Sequence, residues 1–162
     1  LNVVDARIMA TANGMALNIF RALTPDHHAI EPGETTDALI EQLREELRDL
    51  SSDEVRVTRR LPRQNRYFPI ETRISFGEDA TNRRTMMRLT TLDRPGLLAE
   101  IGAVFEQCDI RLQSAKIATV GAEVDDVFFI TTADATPITC ETALACLRRE
   151  IRHRLEQSAP KT

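Results

Sequence analysis

The order of hydrophobic patterns between residues 85 and 155 limits the fold of this chain more than any other feature of its sequence. Residues 85–92 form a strand-like run, and 110–120 and 124–132 form two more, joined at Gly121 as in a hairpin. An amphipathic helical pattern follows the first run, and another follows the hairpin. Their apolar positions recur at helical spacing: Leu97, Leu98, Ile101, Val104, Phe105 and Cys108, then Leu144, Leu147, Ile151 and Leu155. Strand, helix, strand, strand, helix in this order predicts an α+β fold with the helices packed on a sheet.

The segment before the first of these helices reads Asp93-Arg94-Pro95-Gly96. Asp93 is a favourable N-cap, and Pro95 fits the first turn, where a missing amide hydrogen leaves no bond unmade. The sequence therefore predicts that this helix begins directly after Asp93. Thr139 is the predicted cap of the last helix.

The first third of the chain predicts a second hairpin and a third helix. Residues 1–10 and 15–23 are rich in β-branched and apolar residues, with the turn signal Ala12-Asn13-Gly14 between them. A helix is predicted from Thr35 or Thr36 to the Ser51-Ser52 pair. Its apolar stripe consists of Leu39, Ile40, Leu43, Leu47 and Leu50. Residues 71–76 alternate as a further strand.

The two hairpins resemble each other in sequence. Asp5-Ala6-Arg7-Ile8 matches Ser114-Ala115-Lys116-Ile117, and Asn18-Ile19-Phe20 matches Asp126-Val127-Phe128. Two copies of a βαββα(β) unit account for this repeat, with the first copy lacking its opening strand and helix. We therefore expect this chain to be a piece of a longer protein.

These patterns predict two domains. Residues 1–78 form an incomplete first module with an Arg-rich connector at about 56–70, and residues 79–162 form the second module. The short polar stretch 156–162 offers no fourth strand after the last helix. We expect a neighbouring chain to complete that sheet, which predicts a homo-oligomer.

Composition narrows the classes of function. Net charge is −4, so nucleic acid is not the expected partner, although six arginines stand against one acid, Glu71, in and just after the connector. They are Arg56, Arg59, Arg60, Arg63, Arg66 and Arg73. We interpret the connector as solvated, with docking to an acidic surface as the alternative. No run approaches the roughly 18 apolar residues of a membrane span. The three cysteines show no Cys-x-x-Cys spacing, so we expect free thiols and a cytoplasmic protein.

Catalytic motifs are weak. Asp26-His27-His28 is similar to a metal-binding box of phosphoesterases, but neighbouring side chains of an extended segment point to opposite sides, and we predict no metal. No Gly-x-Ser-x-Gly elbow is present, and Cys108 lies on the apolar face of its helix, where burial makes a thiol inert. We predict no catalytic residue in this chain.

Leu92-Asp93-Arg94-Pro95-Gly96-Leu97-Leu98, between a strand and an amphipathic helix, resembles the signature of the ACT domain, a ferredoxin-like βαββαβ ligand-sensing module. The similarity extends along most of the chain. Its further segments are the hairpin 1–23, Tyr67-Phe68-Pro69-Ile70, Asn82-Arg83-Arg84-Thr85, 114–119 and 127–131. Together they resemble the C-terminal tandem ACT region of the bifunctional PII uridylyltransferase/uridylyl-removing enzymes.

This resemblance implies a regulatory role without catalysis in the chain itself. In that family, nucleotidyltransferase and metal-dependent phosphohydrolase domains lie upstream, and the ACT pair senses glutamine to control uridylylation and deuridylylation of the PII nitrogen-signal protein. Glutamine is then the expected effector, and Mg²⁺ belongs to the upstream catalytic domains. No other cofactor is expected.

The resemblance also indicates a ligand site where the loop meets the second strand of a neighbouring module. The expected ligand-binding residues are Asp93, Arg94, Pro95, Gly96, Leu97 and Leu98 of the loop, Gln113 and Ser114 of the strand, and Asn2 and Asp5 of the first copy. Free N–H groups at the helix start suit a carboxylate, and Asp93 suits an ammonium group. Two alternatives stay open: an oligomerisation or docking module without a small ligand, and an ACT region of another amino-acid-controlled enzyme.

Overall fold

The computed structural model describes residues 2–11, 13, 15–24, 26, 28–48 and 70–157. Their elements in chain order are β1 (Asn2–Ala10), β2 (Ala16–Leu23), α1 (Glu34–Arg48), β3 (Arg73–Asp79), β4 (Arg84–Leu92), α2 (Leu97–Gln107), β5 (Ile110–Val120), β6 (Glu123–Thr132) and α3 (Glu141–Gln157). The predicted α+β class, both hairpins and all three helices are confirmed. Ser51-Ser52 and the connector, apart from Ile70, lie outside the described residues. No described helix is both long and apolar enough to cross a membrane.

The six strands form one antiparallel sheet in the order β2-β1-β5-β6-β4-β3. Alternate residues of the central strands turn inward and meet the apolar faces of α2 and α3. Phe105 of α2 contacts Phe128 of β6 edge to face, with ring centroids 5.5 Å apart. The largest fully buried apolar side chains are Met87, Leu89, Ile101, Val104, Ile130, Leu147 and Ile151. The core therefore lies between this sheet and the α2–α3 pair.

The position beside β4 is filled by β3 of the same chain. The two strands pair from Arg73 opposite Thr90 to Asp79 opposite Arg84. This corrects the expectation that a neighbouring chain completes the sheet. A strand joined to β4 by a short turn loses little entropy on pairing, and Arg84 Nε reinforces the turn by donating to Asp79 Oδ2 at 2.7 Å. The sheet runs unbroken across residue 78, and the division into two domains there stays a prediction.

The first hairpin extends the sheet at the edge opposite β3, where β1 pairs with β5. Arg7 lies opposite Lys116, and around this pair Ala6 faces Ile117 while Ile8 faces Ala115. Because Ala6 and Ala115 occupy matching positions in the sequence repeat, as do Ile8 and Ile117, the register is symmetric about the Arg7–Lys116 pair.

Two predicted helix starts are wrong. The first turn of α2 begins at Leu97 and its N-cap is Gly96, not Asp93. The φ angle of Gly96 is 85°, a left-handed conformation that a right-handed helix cannot contain, so the helix starts after it. Similarly, α3 begins at Glu141, so Cys140 and not Thr139 directly precedes it.

Candidate functional site: the loop before α2

The loop 93–96 is fixed at both of its ends by backbone hydrogen bonds. The amide of Asp93 donates to the carbonyl of Ala122, in the β5–β6 turn, at 2.8 Å. The amide of Leu97 donates to the carbonyl of Arg94 at 3.3 Å, which closes a turn around Pro95 and Gly96. The sequence folds this way because proline fixes one φ angle while glycine accepts the positive φ that follows.

The N-terminus of α2 has no side-chain cap. Gly96 has no side chain to offer, and no side-chain hydrogen bond caps the helix. The Gly96 carbonyl accepts the first helical hydrogen bond, from the Glu100 amide at 3.0 Å. The amides of the first turn have no carbonyl within the helix to which they could donate. Uncapped amides and the positive end of the helix dipole favour an anionic group at this point.

Arg94 is directed into the protein. Its Nη1 donates to the carbonyl of Leu155 in α3 at 2.6 Å, and its Nη2 pairs with the carboxylate of Glu100. The Arg94 side chain is only 9% exposed, and its Nε is buried without a hydrogen-bond partner. Arg94 therefore holds the loop against the last turn of α3.

Leu97 and Leu98 belong to the apolar packing of the site. Leu97 is buried in the core, and Leu98 is half-buried against it. Because the Leu97 amide bonds to Arg94, the amides that follow it, from Leu98 onward, are the ones that face a ligand at this loop.

Asp126 is a buried carboxyl near the loop that the sequence analysis did not single out. It is fully buried on the helix side of β6, where its Oδ1 accepts from the amide of Ala118 at 3.1 Å and its Oδ2 has no partner. Burial raises the pKa of Asp126 to about 7, with smaller contributions from the negative charges of Asp93 and Asp125, while the Ala118 bond acts in the opposite direction. The detectable signal was a charged residue at an inward position of the strand alternation.

Gln113 and Ser114 lie at the far end of the sheet from the loop. Gln113 Nε2 donates to Thr131 Oγ1 at 3.1 Å, and Ser114 Oγ accepts from Arg84 Nη1 at 3.4 Å. Arg84 begins β4, whereas the loop follows the other end of that strand. Within one chain, the structure therefore does not bring these two residues to the loop.

The two candidates on β1 differ in position. In the antiparallel β1–β5 pair, the Asn2 end of β1 lies beside the Val120 end of β5, which is the end of the sheet that carries the loop. Asp5 is opposite Ala118 and next to the buried Ala6, which points to the helix side, so Asp5 belongs to the other face.

The similarity of Asp26-His27-His28 to a metal-binding box can be followed only in the described part of the chain. No group of three or more His, Cys, Asp or Glu side chains there is arranged to hold an ion. His28 is exposed, and its amide donates to Thr24 Oγ1 at 3.0 Å in a local turn. His27 of the Asp-His-His segment lies outside the described residues.

The β4–α2–β5–β6–α3 unit, with β3 beside β4, defines a ferredoxin-like α+β module whose helices lie on one face of an antiparallel sheet. Its relatives are bifunctional uridylyltransferase/uridylyl-removing enzymes. The chain is 38% identical over 149 residues to the enzyme of Methylococcus capsulatus, and this match covers 92% of the chain and 17% of the relative. It is 38% identical over 161 residues to the enzyme of Ectopseudomonas mendocina, and this match covers 97% of the chain and 18% of the relative. It is 38% identical over 136 residues to the enzyme of Vibrio cholerae, and this match covers 84% of the chain and 15% of the relative.

The chain is therefore homologous to one region of these bifunctional enzymes, and the resemblance seen in the sequence is confirmed. It spans about a sixth of the length of these relatives. No protein-family model matches the chain. No solved structure matches it either.

Proposed function

We propose that this chain is the amino-acid-sensing region of a bifunctional uridylyltransferase/uridylyl-removing enzyme, with L-glutamine as the effector bound at loop 93–98. In this proposal, catalytic domains elsewhere in the parent protein uridylylate and deuridylylate the PII protein, and this region regulates them. The observation that carries the proposal is the uncapped start of α2 behind a loop held by hydrogen bonds at both ends.

An amino acid offers the two charged groups that suit this loop. Its carboxylate accepts from the first-turn amides that follow Leu97, where the helix dipole adds attraction. Its ammonium group is attracted by Asp93, and the buried carboxyl of Asp126 adds negative potential when ionised. The bound ligand is thus recognised by its backbone charges, which leaves its side chain to determine selectivity.

The loop also has a physical route to the rest of the module. Arg94 connects it to the end of α3 through Leu155, and Asp93 connects it to the β5–β6 turn through Ala122. A ligand that binds one arrangement of these connections more tightly shifts the population towards it, which is the requirement for regulation without chemistry. The symmetric β1–β5 register further supports two copies of one module acting side by side.

Isothermal titration calorimetry with L-glutamine, L-glutamate and L-serine tests the proposal, using the wild-type chain, Gly96→Ala and Ile151→Val. Alanine at a φ of 85° is strained by about 1–2 kcal/mol and distorts the loop. Ile151 is buried in α3, where its shortening costs about 0.5–1.5 kcal/mol and leaves the loop sequence unchanged. The two variants are therefore similarly destabilised, and circular dichroism checks that both are folded.

We expect selective glutamine binding by the wild type and by Ile151→Val, and at least a tenfold weaker affinity in Gly96→Ala, which corresponds to about 1.4 kcal/mol. Absence of binding to the wild type contradicts the sensing proposal. Equal affinity in all three proteins contradicts the placement of the ligand at this loop.

A second candidate function is self-association, and exposed apolar side chains favour it. They lie in the first hairpin and on α1, and within β2 Phe20 is on the opposite face from Leu17 and Ile19. The exposed residues are Met15, Leu17, Ile19, Phe20, Ile40, Leu43 and Leu47. Phe20 is 54% exposed although it pairs with Ala6 on the helix side of the sheet, and Leu43 of α1 is 57% exposed. Apolar patches of this kind are typical of protein–protein contacts.

Sedimentation velocity over a concentration series tests self-association through these apolar side chains. We expect a concentration-dependent dimer that Phe20→Ser weakens. The control is Val120→Ser, since Val120 is 78% exposed but lies at the end of β5, outside the hairpin and α1. A wild-type chain that stays monomeric throughout, or equal weakening by both substitutions, contradicts this second candidate.

A further inference from the structure

The outer side of β2 is an open sheet edge. β2 is the terminal strand of the sheet, and in the described part of the chain its only neighbour is β1. Residues 16–21 of β2 are all exposed, and Arg21 is the single charged residue of the strand. The opposite terminal strand, β3, carries Arg73, Glu78 and Asp79. Charged residues discourage edge-to-edge pairing, so β2 is the less protected of the two edges.

The hydrogen-bond alternation of the hairpin identifies the backbone groups at this edge. In an antiparallel pair, opposite residues that exchange hydrogen bonds alternate with opposite residues that do not. The amide of Thr11 donates to the carbonyl of Met15 at 2.8 Å, so these two residues form a hydrogen-bonded pair at the turn. Counting from them along the β1–β2 register, the backbone groups of Ala16, Asn18 and Phe20 point away from β1. These groups are available to a further strand.

Exposed apolar side chains lie on both faces of β2. Leu17 and Ile19 are 52% and 51% exposed on the face away from α2 and α3, whereas Phe20 is 54% exposed on the helix side. A partner packed against one face would leave the apolar side chains of the other face in water. A strand added at the edge places side chains beside both groups, because its own residues alternate between the two faces.

The sequence repeat contains a precedent for a strand at this position. Phe20 of β2 matches Phe128 of β6. Each lies opposite an alanine of the preceding strand, Ala6 or Ala115. On its second side, β6 pairs antiparallel with β4. The side of β6 that β4 occupies corresponds to the open edge of β2.

We propose that a second copy of this chain pairs its β2 antiparallel to this edge, about a two-fold axis at Asn18. This register places Leu17 opposite Ile19 of the partner subunit, at positions without mutual hydrogen bonds, where opposite side chains approach most closely. It places Phe20 opposite Ala16 of the partner subunit. The strand is thus complementary to itself on both faces, as a two-fold interface requires.

This inference rests on the self-association that is the second candidate function, and it is independent of ligand binding at loop 93–98. Arg21 lies opposite Met15 of the partner subunit in this register, so no like charges meet. A single strand pair is a small contact, which is typical of weak and transient association.

Sedimentation velocity over a concentration series tests the backbone pairing with the wild type, Asn18→Pro and Asn18→Thr. Proline removes the amide that faces the open edge and leaves the hydrogen bonds to β1 in place. Threonine removes the same side chain but keeps that amide, and circular dichroism checks that all three proteins are folded. We expect the wild type and Asn18→Thr to dimerise. Asn18→Pro should dimerise at least ~10-fold more weakly, because it loses one hydrogen bond and the symmetry-related one.

A disulfide cross-link tests the register without removing a backbone donor. The substitution Asn18→Cys is made in a chain whose three native cysteines are replaced by serine. At the two-fold axis the Cα atoms of the two copies lie about 5.5 Å apart, which a disulfide can bridge. Arg21→Cys in the same background is the matched control, since this register separates Arg21 from Arg21 of the partner subunit. We expect Asn18→Cys to form the linked dimer at least ~10-fold faster under the same oxidant.

The outcomes separate this inference from the candidate function on which it rests. A wild-type chain that stays monomeric over the whole series overturns the strand pairing together with self-association. A dimer that Asn18→Pro and Asn18→Thr weaken equally, or equal cross-linking of both cysteine variants, overturns the strand pairing and leaves self-association through another surface.

Discussion

Replacing Asp126 by asparagine tests whether a buried carboxyl beneath the α2 loop weakens the fold at neutral pH. Burial raises the pKa of this carboxyl from 3.8 to about 7. At about 1.4 kcal/mol per pH unit, this difference corresponds to a destabilisation of about 4 kcal/mol once the group is ionised in both the folded and unfolded states. Asparagine keeps an oxygen for the Ala118 amide and carries no charge at any pH in the range tested.

The sign follows from proton binding. The folded state holds the Asp126 proton more tightly than the unfolded state does, so the wild-type chain carries no penalty from this group below pH 4. The penalty develops as the pH rises from about 4 to about 7 and is complete above that. Between pH 5 and pH 8, about 2–3 kcal/mol of it should appear.

Urea unfolding followed by circular dichroism at pH 5, 6, 7 and 8 measures this effect. We expect the stability of Asp126→Asn minus that of the wild type to grow by about 2–3 kcal/mol across the series, because contributions from other titrating groups cancel in the difference. Asp79→Asn is the control. Hydrogen bonds from Arg84 and Asn82 lower the pKa of Asp79, so that carboxylate stays ionised throughout and its difference should stay constant. A constant difference for Asp126→Asn as well would refute a buried, neutralised carboxyl.

Three further predictions concern single side chains elsewhere in the module. Arg94→Ala should lower the free energy of unfolding by about 1–3 kcal/mol, because it leaves the carbonyl of Leu155 and the carboxylate of Glu100 without their charged donor. Arg88→Ala should have a smaller effect, because the Arg88–Asp125 ion pair is exposed. Chemical denaturation of the two variants compares these losses. Cys140 should be alkylated by iodoacetamide faster than Cys108, since backbone amides at the start of α3 lower the pKa of the Cys140 thiol while burial raises the pKa of the Cys108 thiol. Peptide mapping over time measures both rates, and a faster reaction of Cys108 would contradict this prediction. Leu147→Ala should destabilise the chain by about 2–5 kcal/mol, since the side chain is 1% exposed in the α2–α3 core, and a loss below 1 kcal/mol in urea unfolding would be inconsistent with that burial.

The hydrophobic periodicities predicted every described element, because they record which face of a strand or helix is buried. The N-cap of α2, however, was predicted three residues too early, at Asp93 instead of Gly96. Asp93 is a favourable N-cap residue, which is a local preference. The positive φ of Gly96 depends on how the loop meets the β5–β6 turn, and a helix cannot begin before a residue in that conformation. Local preference therefore identified the helix, and the backbone conformation fixed its first residue.

The candidate site also combines features that the sequence predicted with features that it did not. The loop 93–98 was predictable because its Asp-Arg-Pro-Gly motif is contiguous in sequence. The inward turn of Arg94 towards Leu155 was not, since it joins the loop to a helix that is distant in sequence.

The sequence by itself determined the strands, the helices, the repeat and the relationship to the bifunctional enzymes, because these depend on residue order and local hydrophobic pattern. Only the tertiary structure decided that β3 fills the edge beside β4 and that Asp126 is buried with an unpartnered oxygen. The physical reason is that strand order and burial depend on which distant segments compete for the same space, and a linear pattern does not contain that competition.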